Sequence, residues 1–184
     1  MDTLPPCFDY RPGWVVEPER MFGQLREAIA WEQNEISIAG RRRSLPRLTC
    51  WMGEAPYVYS GIRNEPLPMP AELQTVRRRL EAESQAGYNS CLANLYRDGR
   101  DSIGYHSDDE AELGLRPVIA SISLGGRRRF LVKRVSDGRR WTLELGAGDL
   151  LIMRDESQAD YRHAVPKTTR TVAPRINLTF RWFG

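Results

Sequence analysis

With 184 residues, 41% of them apolar and 28% charged, the chain is long enough for one domain with a real core. No apolar run approaches a membrane span, and "MDTLPPCFDY", with an early Asp and two prolines, does not read as a secretory leader. The formal charge is only +3, but nearly every cation is arginine; Lys133 and Lys167 are the only lysines.

Residues 1–16 read as an irregular lead-in. Pro18 suits the first turn of a helix running to about Trp31, with Met21, Phe22, Leu25, Ala28 and Ile29 on one stripe. From 34 to 62 the pattern is extended: "ISIAG", a basic turn, "RLTCWM", then "YVYSG". "NEPLPMP" is a connector, and Pro70 to about Gln85 reads as a second helix with Leu73, Val76 and Leu80 inward. Strands follow at 88–96, about 103–108, 117–124, 128–134, 141–145, 149–154, 160–165 and 175–183, separated by turns such as "RDGRD", "SDGRR" and "GAGD". The expected fold is mostly β with flanking helices. It is a double-sheet jelly roll (a double-stranded β-helix) with its N-terminal helices packed on one sheet.

Cys7, Cys50 and Cys91 are far apart, odd in number and without a CxxC pair, which fits reduced thiols in a cytoplasmic protein. Arginine triplets stand at 41–43, 77–79 and 127–129. A solvated face is the plainer reading of any one of them. Three together make a polyanionic partner the alternative, since arginine is the residue best suited to phosphate.

Two positions set the chemistry. The only histidines are His106 and His163. His106 opens "HSD", and on a strand His106 and Asp108 share a face, so that His163 can complete a metal site from a later strand. Two His and one carboxylate on one side of an ion leave the other positions open, as in non-haem Fe(II) oxygenases. The plainer alternative is a surface His beside acidic residues and a core His163. The second position is "RINLTFRW", 175–182. One face carries Ile176, Leu178, Phe180 and Trp182; the other carries Arg175, Asn177, Thr179 and Arg181. The polar face is a solvated edge or the wall of a pocket for a ligand with two negative ends. Asn94 and Tyr96 share a face in the same way, ten or so residues before His106. A pocket wall fits better, because Fe(II) oxygenases with open sites commonly take 2-oxoglutarate and arginine meets a carboxylate through paired hydrogen bonds.

Five segments in order, "NLYRDGRDSIGYHSDDE" (94–110), "RPVIASISLGGRRRFLV" (116–132), "LELGAGDLLIM" (143–153), "YRHAVPKT" (161–168) and "PRINLTFR" (174–181), resemble the AlkB family of Fe(II)/2-oxoglutarate-dependent dioxygenases. The likeness is to members that repair alkylated nucleic acid, and "YVYSG" (57–61) resembles that family's substrate lid. The resemblance implies that His106, Asp108 and His163 hold iron and that Asn94, Tyr96, Arg175, Asn177, Thr179 and Arg181 hold 2-oxoglutarate. Arg175 and Tyr96 would serve the distal carboxylate, and Arg181 the end nearer the metal. It implies Fe(II), 2-oxoglutarate and O2 as reactants, and oxidative removal of N-methyl groups from bases as formaldehyde. On the substrate side, Asp109 and Glu110 would attract a base made cationic by methylation. Tyr57 and Tyr59, with Trp51 a weaker candidate, would stack it once flipped out. Arg41, Arg42, Arg43 and Arg47 would take phosphates.

One domain over 1–184 is expected: a lead-in and helix to 33, a nucleotide-recognition lid over 34–66 and the catalytic jelly roll over 88–184. By the resemblance, members that work well on duplexes carry a bulky apolar side chain on the hairpin before the lid. The matching tip here, 39–40, is Ala-Gly, too small to plug the gap left by a flipped base, with Ile38 able to substitute only if the register slips by one. Single-stranded DNA is therefore expected to be favoured over duplex, and the protein is expected to be a monomer. Two other readings stand beside this one: the same oxygenase chemistry on a protein or small molecule, and a non-enzymatic jelly-roll binding module.

Overall fold

The computed structural model describes residues 3–38, 41–54, 56–59 and 62–184. Strand β1 (Phe8–Arg11) precedes helix α1 (Pro18–Ala28); β2 (Glu35–Ile38), β3 (Arg41–Ser44), β4 (Leu48–Gly53), β5 (Tyr57–Tyr59) and β6 (Ile62–Asn64) lead to helix α2 (Ala71–Ser84). Then come β7 (Ser90–Tyr96), β8 (Ile103–His106), a 3-10 turn at Ala111–Leu113, β9 (Ile119–Gly125), β10 (Arg128–Arg134), β11 (Arg140–Leu145) and β12 (Leu150–Met153). A short helix α3 (Ser157–Asp160), β13 (Tyr161–Val165) and β14 (Arg175–Arg181) complete the order.

Two antiparallel sheets face each other. The larger runs β1-β12-β9-β14-β7-β4 and the smaller β11-β10-β13-β8. Strict alternation in β14 explains its central place. Ile176, Leu178 and Phe180 are completely buried on the outer face of the large sheet. There they pack with Ile122 and Leu124 of β9 under Leu25 of α1 and Leu73 and Leu80 of α2. Each such side chain contributes roughly 1.5–3 kcal/mol. The inner face supplies a second cluster between the sheets, with Phe130, Val132, Leu143 and Leu145 of the small sheet against Ile119, Leu151 and Met153 of the large one. This is the jelly roll with helices on one sheet. Among the described residues no helix is long and apolar enough to cross a membrane.

Several local expectations change. The lead-in contains β1, an edge strand paired with β12 through Phe8 opposite Met153. α1 stops at Ala28, and extended Ile29 still reaches the core. β8 ends at His106, so Asp108 sits on a loop, its backbone N–H donating to Gln158 Oε1 at 2.9 Å. β14 ends at Arg181, and Trp182 is 54% exposed rather than on the core face. The cause is Asn89, whose side chain bonds both the N–H and the C=O of Phe183 and turns the chain out of the strand. Within 34–66, β4 is an edge strand of the large sheet, flanked by the hairpins β2-β3 and β5-β6. The 127–129 triplet also divides by alternation. Arg127 and Arg129 are exposed, while Arg128 is buried and donates to the carbonyls of Asp98, Asp101 and Pro166.

Candidate active site

The small sheet sets the two histidines. His163 on β13 stands directly opposite His106 on β8, with ring centroids 4.2 Å apart. Ligand atoms of His106, Asp108 and His163 all lie within 4.8 Å of one another. His106 Nδ1 is 2.9 Å from the Gly104 carbonyl oxygen, which places its proton there and leaves the Nε2 lone pair, 3.8 Å from Asp108 Oδ1, facing the centre. His163 stacks on Phe130 at 5.3 Å. Burial above all, then His106, pushes its imidazole down to about 3, so it is neutral, the form that binds a metal. Burial works against the charge on Asp108, but Arg181, then His163 and His106, outweigh it and hold the carboxyl below its ordinary value. The Arg181 Nη2 donates to Asp108 Oδ1 at 2.7 Å, both side chains being buried. Two imidazoles and one carboxylate anion are a donor set that fits Fe(II).

The large sheet supplies the opposite wall. β14 and β7 pair Arg175 with Tyr96 and Asn177 with Asn94, which brings the four residues onto one inner face. Asn94, Tyr96, Asn177, Thr179 and Arg181 line a cavity whose floor includes His106, Asp108 and His163. Asn177 Nδ2 donates to Ser121 Oγ at 2.8 Å and to the Ile122 carbonyl at 3.1 Å. Arg175 does not line the cavity. It lies behind Tyr96, its Cζ 5.3 Å from that ring centroid, and is 1% exposed. Its Nη2 donates to Ser123 Oγ at 2.7 Å, while Nε and Nη1 are buried with no hydrogen-bond partner among the described residues. Burial lowers its guanidinium to about 10, against the opposing pull of Tyr96, so it remains a cation at neutral pH. A buried guanidinium with unused donors is what a carboxylate would complete.

Gly125, opposite Arg175 on β9, has a φ of +79, and a Cβ there would meet the Pro174 carbonyl oxygen at 2.6 Å. The start of β14, and Arg175 with it, is set by that close approach.

The substrate-side residues are more scattered. Arg47 is not an outward phosphate contact: it is buried in the cavity wall, with Nε donating to Asn94 Oδ1 at 2.7 Å. Trp51 is not a free stacking platform; it is buried edge-on to Phe183 at 5.1 Å and packs with Leu113. Asp109 is exposed and Glu110 half-buried, and neither lines the cavity. Arg42 and Arg43 are exposed on β3. The side chains of Arg41, Tyr57 and Tyr59, and the hairpin tip Ala39–Gly40, lie outside the described residues. Sequence reasoning passed over Ser121 and Ser123, which hold Asn177 and Arg175. Their signal was the polar half of the alternation in "ASISLG". Gln158, which holds the Asp108 loop, left no such signal.

The family model of the 2OG-Fe(II) oxygenase superfamily matches residues 15–181. The chain belongs to this superfamily. Within it, the chain is 40% identical over 182 residues to human "Alpha-ketoglutarate-dependent dioxygenase alkB homolog 3", covering 92% of this chain and 64% of that protein. It is 34% identical over 178 residues to mouse "DNA oxidative demethylase ALKBH2", covering 90% of this chain and 74% of that protein. These relatives make it an AlkB-type member. It spans about 64% of the length of the alkB homolog 3 proteins it matches. The fold matches "The structure of OsALKBH1" with a TM-score of 0.71 at 18% identity, over 98% of this chain and 100% of that one. Membership in this superfamily implies Fe(II), 2-oxoglutarate and O2, with His106, Asp108 and His163 as the metal-binding triad.

Proposed function

We propose that this AlkB-type oxygenase removes N-methyl groups from cationic bases of the 1-methyladenine and 3-methylcytosine kind in DNA, and in RNA where it is single-stranded. The observation that carries the reading is the convergence of the His-Asp-His set, from the small sheet and the loop after β8, with a polar wall of the large sheet that includes Arg181 and has Arg175 buried behind Tyr96. The relatives named as DNA oxidative demethylases point to the substrate class. Bound with 2-oxoglutarate and O2, Fe(II) supplies the oxidation of an N-methyl carbon, which leaves as formaldehyde while 2-oxoglutarate becomes succinate and CO2.

The chain's own residues do the positioning. His106, Asp108 and His163 hold the metal, and Arg181 keeps Asp108 ionised and aimed at it. Tyr96 and Arg175 take the distal carboxylate of 2-oxoglutarate, with Asn177 and Thr179 along its length. Arg47 occupies the Asn94 oxygen, which turns the Asn94 amide N–H groups toward the ligand. Asp109 and Glu110 lie just beyond the metal carboxylate and favour a methylated cation over a neutral base. The two hairpins over 34–66 form the lid, and the jelly roll from 88 onward is the catalytic part. Tyr57 and Tyr59 flank the flipped base, and Arg41, Arg42 and Arg43 bind backbone phosphates.

The Ala39–Gly40 tip offers no side chain to fill an emptied base stack, so single strands are favoured over duplexes. We place the protein in the cytoplasm as a monomer, in keeping with three free cysteines. The test is formaldehyde release from methylated single-stranded DNA, duplex DNA and RNA, with Ala39→Phe alongside. A single-strand preference that narrows in Ala39→Phe supports the lid assignment, and a duplex preference in the unaltered protein refutes it.

A further inference from the structure

The outer face of the small sheet carries charge that the active site does not use. Lys133 on β10 stands directly opposite Arg140 on β11 and directly opposite Arg162 on β13. Register partners project to one face, so the three cations form a row across three strands, about 4.8 Å from one strand to the next. The neighbouring Val132 and His163 point into the sandwich, so the row faces out. Arg140 and Arg162 are exposed and Lys133 is half-buried. The next arginine on β10, Arg134, has a partner in Asp137. Among the described residues no carboxylate pairs with any member of the row. Like charges directly opposite one another repel, and an anion laid across the row removes that repulsion.

Its position relates it to the active site. Arg162 adjoins His163, which faces His106 on β8, and β8 is the edge strand of its sheet. The cavity reaches the side of the sandwich where β8 and β4 are both edges, with Leu45 and Ile103 in its wall and the His106 side chain 23% exposed. Tyr105, on the edge strand β8 next to His106, is 39% exposed and does not line the cavity. A strand whose target base enters past β8 therefore meets an aromatic ring and then three cations in line.

We propose that Arg162, Lys133 and Arg140 form a track for the sugar-phosphate backbone flanking the target base, with Tyr105 available to stack a neighbouring base. The proposal rests on the nucleic-acid reading above and adds where the rest of the strand runs.

The experiment measures binding of the metal-free protein to unmethylated single strands of about five and about twenty nucleotides across a salt series. The variant is Lys133→Gln/Arg140→Gln/Arg162→Gln. A control, Arg20→Gln/Arg26→Gln/Arg78→Gln, removes the same charge from exposed positions on α1 and α2, which cover the other sheet. For the track variant the slope of log K against log salt should flatten by about 2, and affinity for the long strand should fall about ten- to a hundredfold near 0.1 M salt. The short strand and the control should change by less than about threefold. Thermal melting at low salt should not fall, since repulsion is removed. An unchanged slope and affinity for the long strand, or an equal loss in the control, overturns the track. The demethylase reading has its own readout. A wild-type protein that releases formaldehyde while the track variant binds normally sinks the track alone. One that shows the track losses but no demethylation sinks the demethylase reading alone.

Discussion

Replacing Arg175 with methionine should move ligand binding and stability in opposite directions. The side chain is 1% exposed and has one hydrogen bond, to Ser123, with Nε and Nη1 left without partners among the described residues. In the metal-free protein it is a buried charge whose desolvation is poorly offset, so an apolar side chain of similar length should leave stability unchanged or raise it by up to about 1–4 kcal/mol. With 2-oxoglutarate the balance reverses. A carboxylate left unpaired there costs roughly 2–5 kcal/mol, which is about a 30- to several-thousandfold rise in Kd. Two assays read this: anaerobic titration of the Fe(II) protein with 2-oxoglutarate, and thermal melting with and without it. A ligand at about a hundred times its wild-type Kd stabilises the wild type by about 2.7 kcal/mol, and at the same concentration that gain should fall to about 0.9 kcal/mol or less in Arg175→Met. A folded variant with unaltered 2-oxoglutarate affinity would refute the role of Arg175. A clear loss of stability without ligand would refute the claim that its charge is poorly compensated.

His106→Ala, Asp108→Ala and His163→Ala should each lower turnover by several decades with the fold retained by circular dichroism; a variant keeping more than about a tenth of the wild-type rate contradicts the triad. The unfolded chain binds a proton on His163 near pH 6.5 that the folded chain refuses until about 3, so the metal-free protein should lose stability as pH falls below about 6.5. The slope is at most about 1.4 kcal/mol per pH unit, and denaturant titrations of His163→Phe should show it flattened. Asp109→Asn should weaken discrimination for a methylated over an unmethylated oligonucleotide more than it weakens binding of either, and equal losses on both would return Asp109 to a solvated turn.

The sequence exposed what alternation and spacing encode. "RINLTFR" shows its buried and polar faces directly, and the structure keeps them through Arg181. His106, Asp108 and His163 converge although Asp108 lies beyond the strand that was to carry it, because Gln158 and Arg181 hold its loop. Trp182 broke the pattern because Asn89 ends the strand by side-chain hydrogen bonds, a tertiary event with no local signature. Arg47 and Arg128 look like surface cations in sequence. Their carbonyl and amide partners come from residues tens of positions away, which periodicity cannot supply. β1 is four residues with one buried apolar anchor, too little pattern to separate from a loop until β12 is beside it.

The central claim is tested most directly by incubating the Fe(II)-loaded protein with 2-oxoglutarate, O2 and a single-stranded oligonucleotide carrying one 1-methyladenine, and measuring formaldehyde and succinate together. The account predicts formaldehyde and unmodified adenine in equal amounts, succinate at least equal to both, and none of the three from His163→Ala. Succinate formed by the wild type with the methylated base left intact would contradict it.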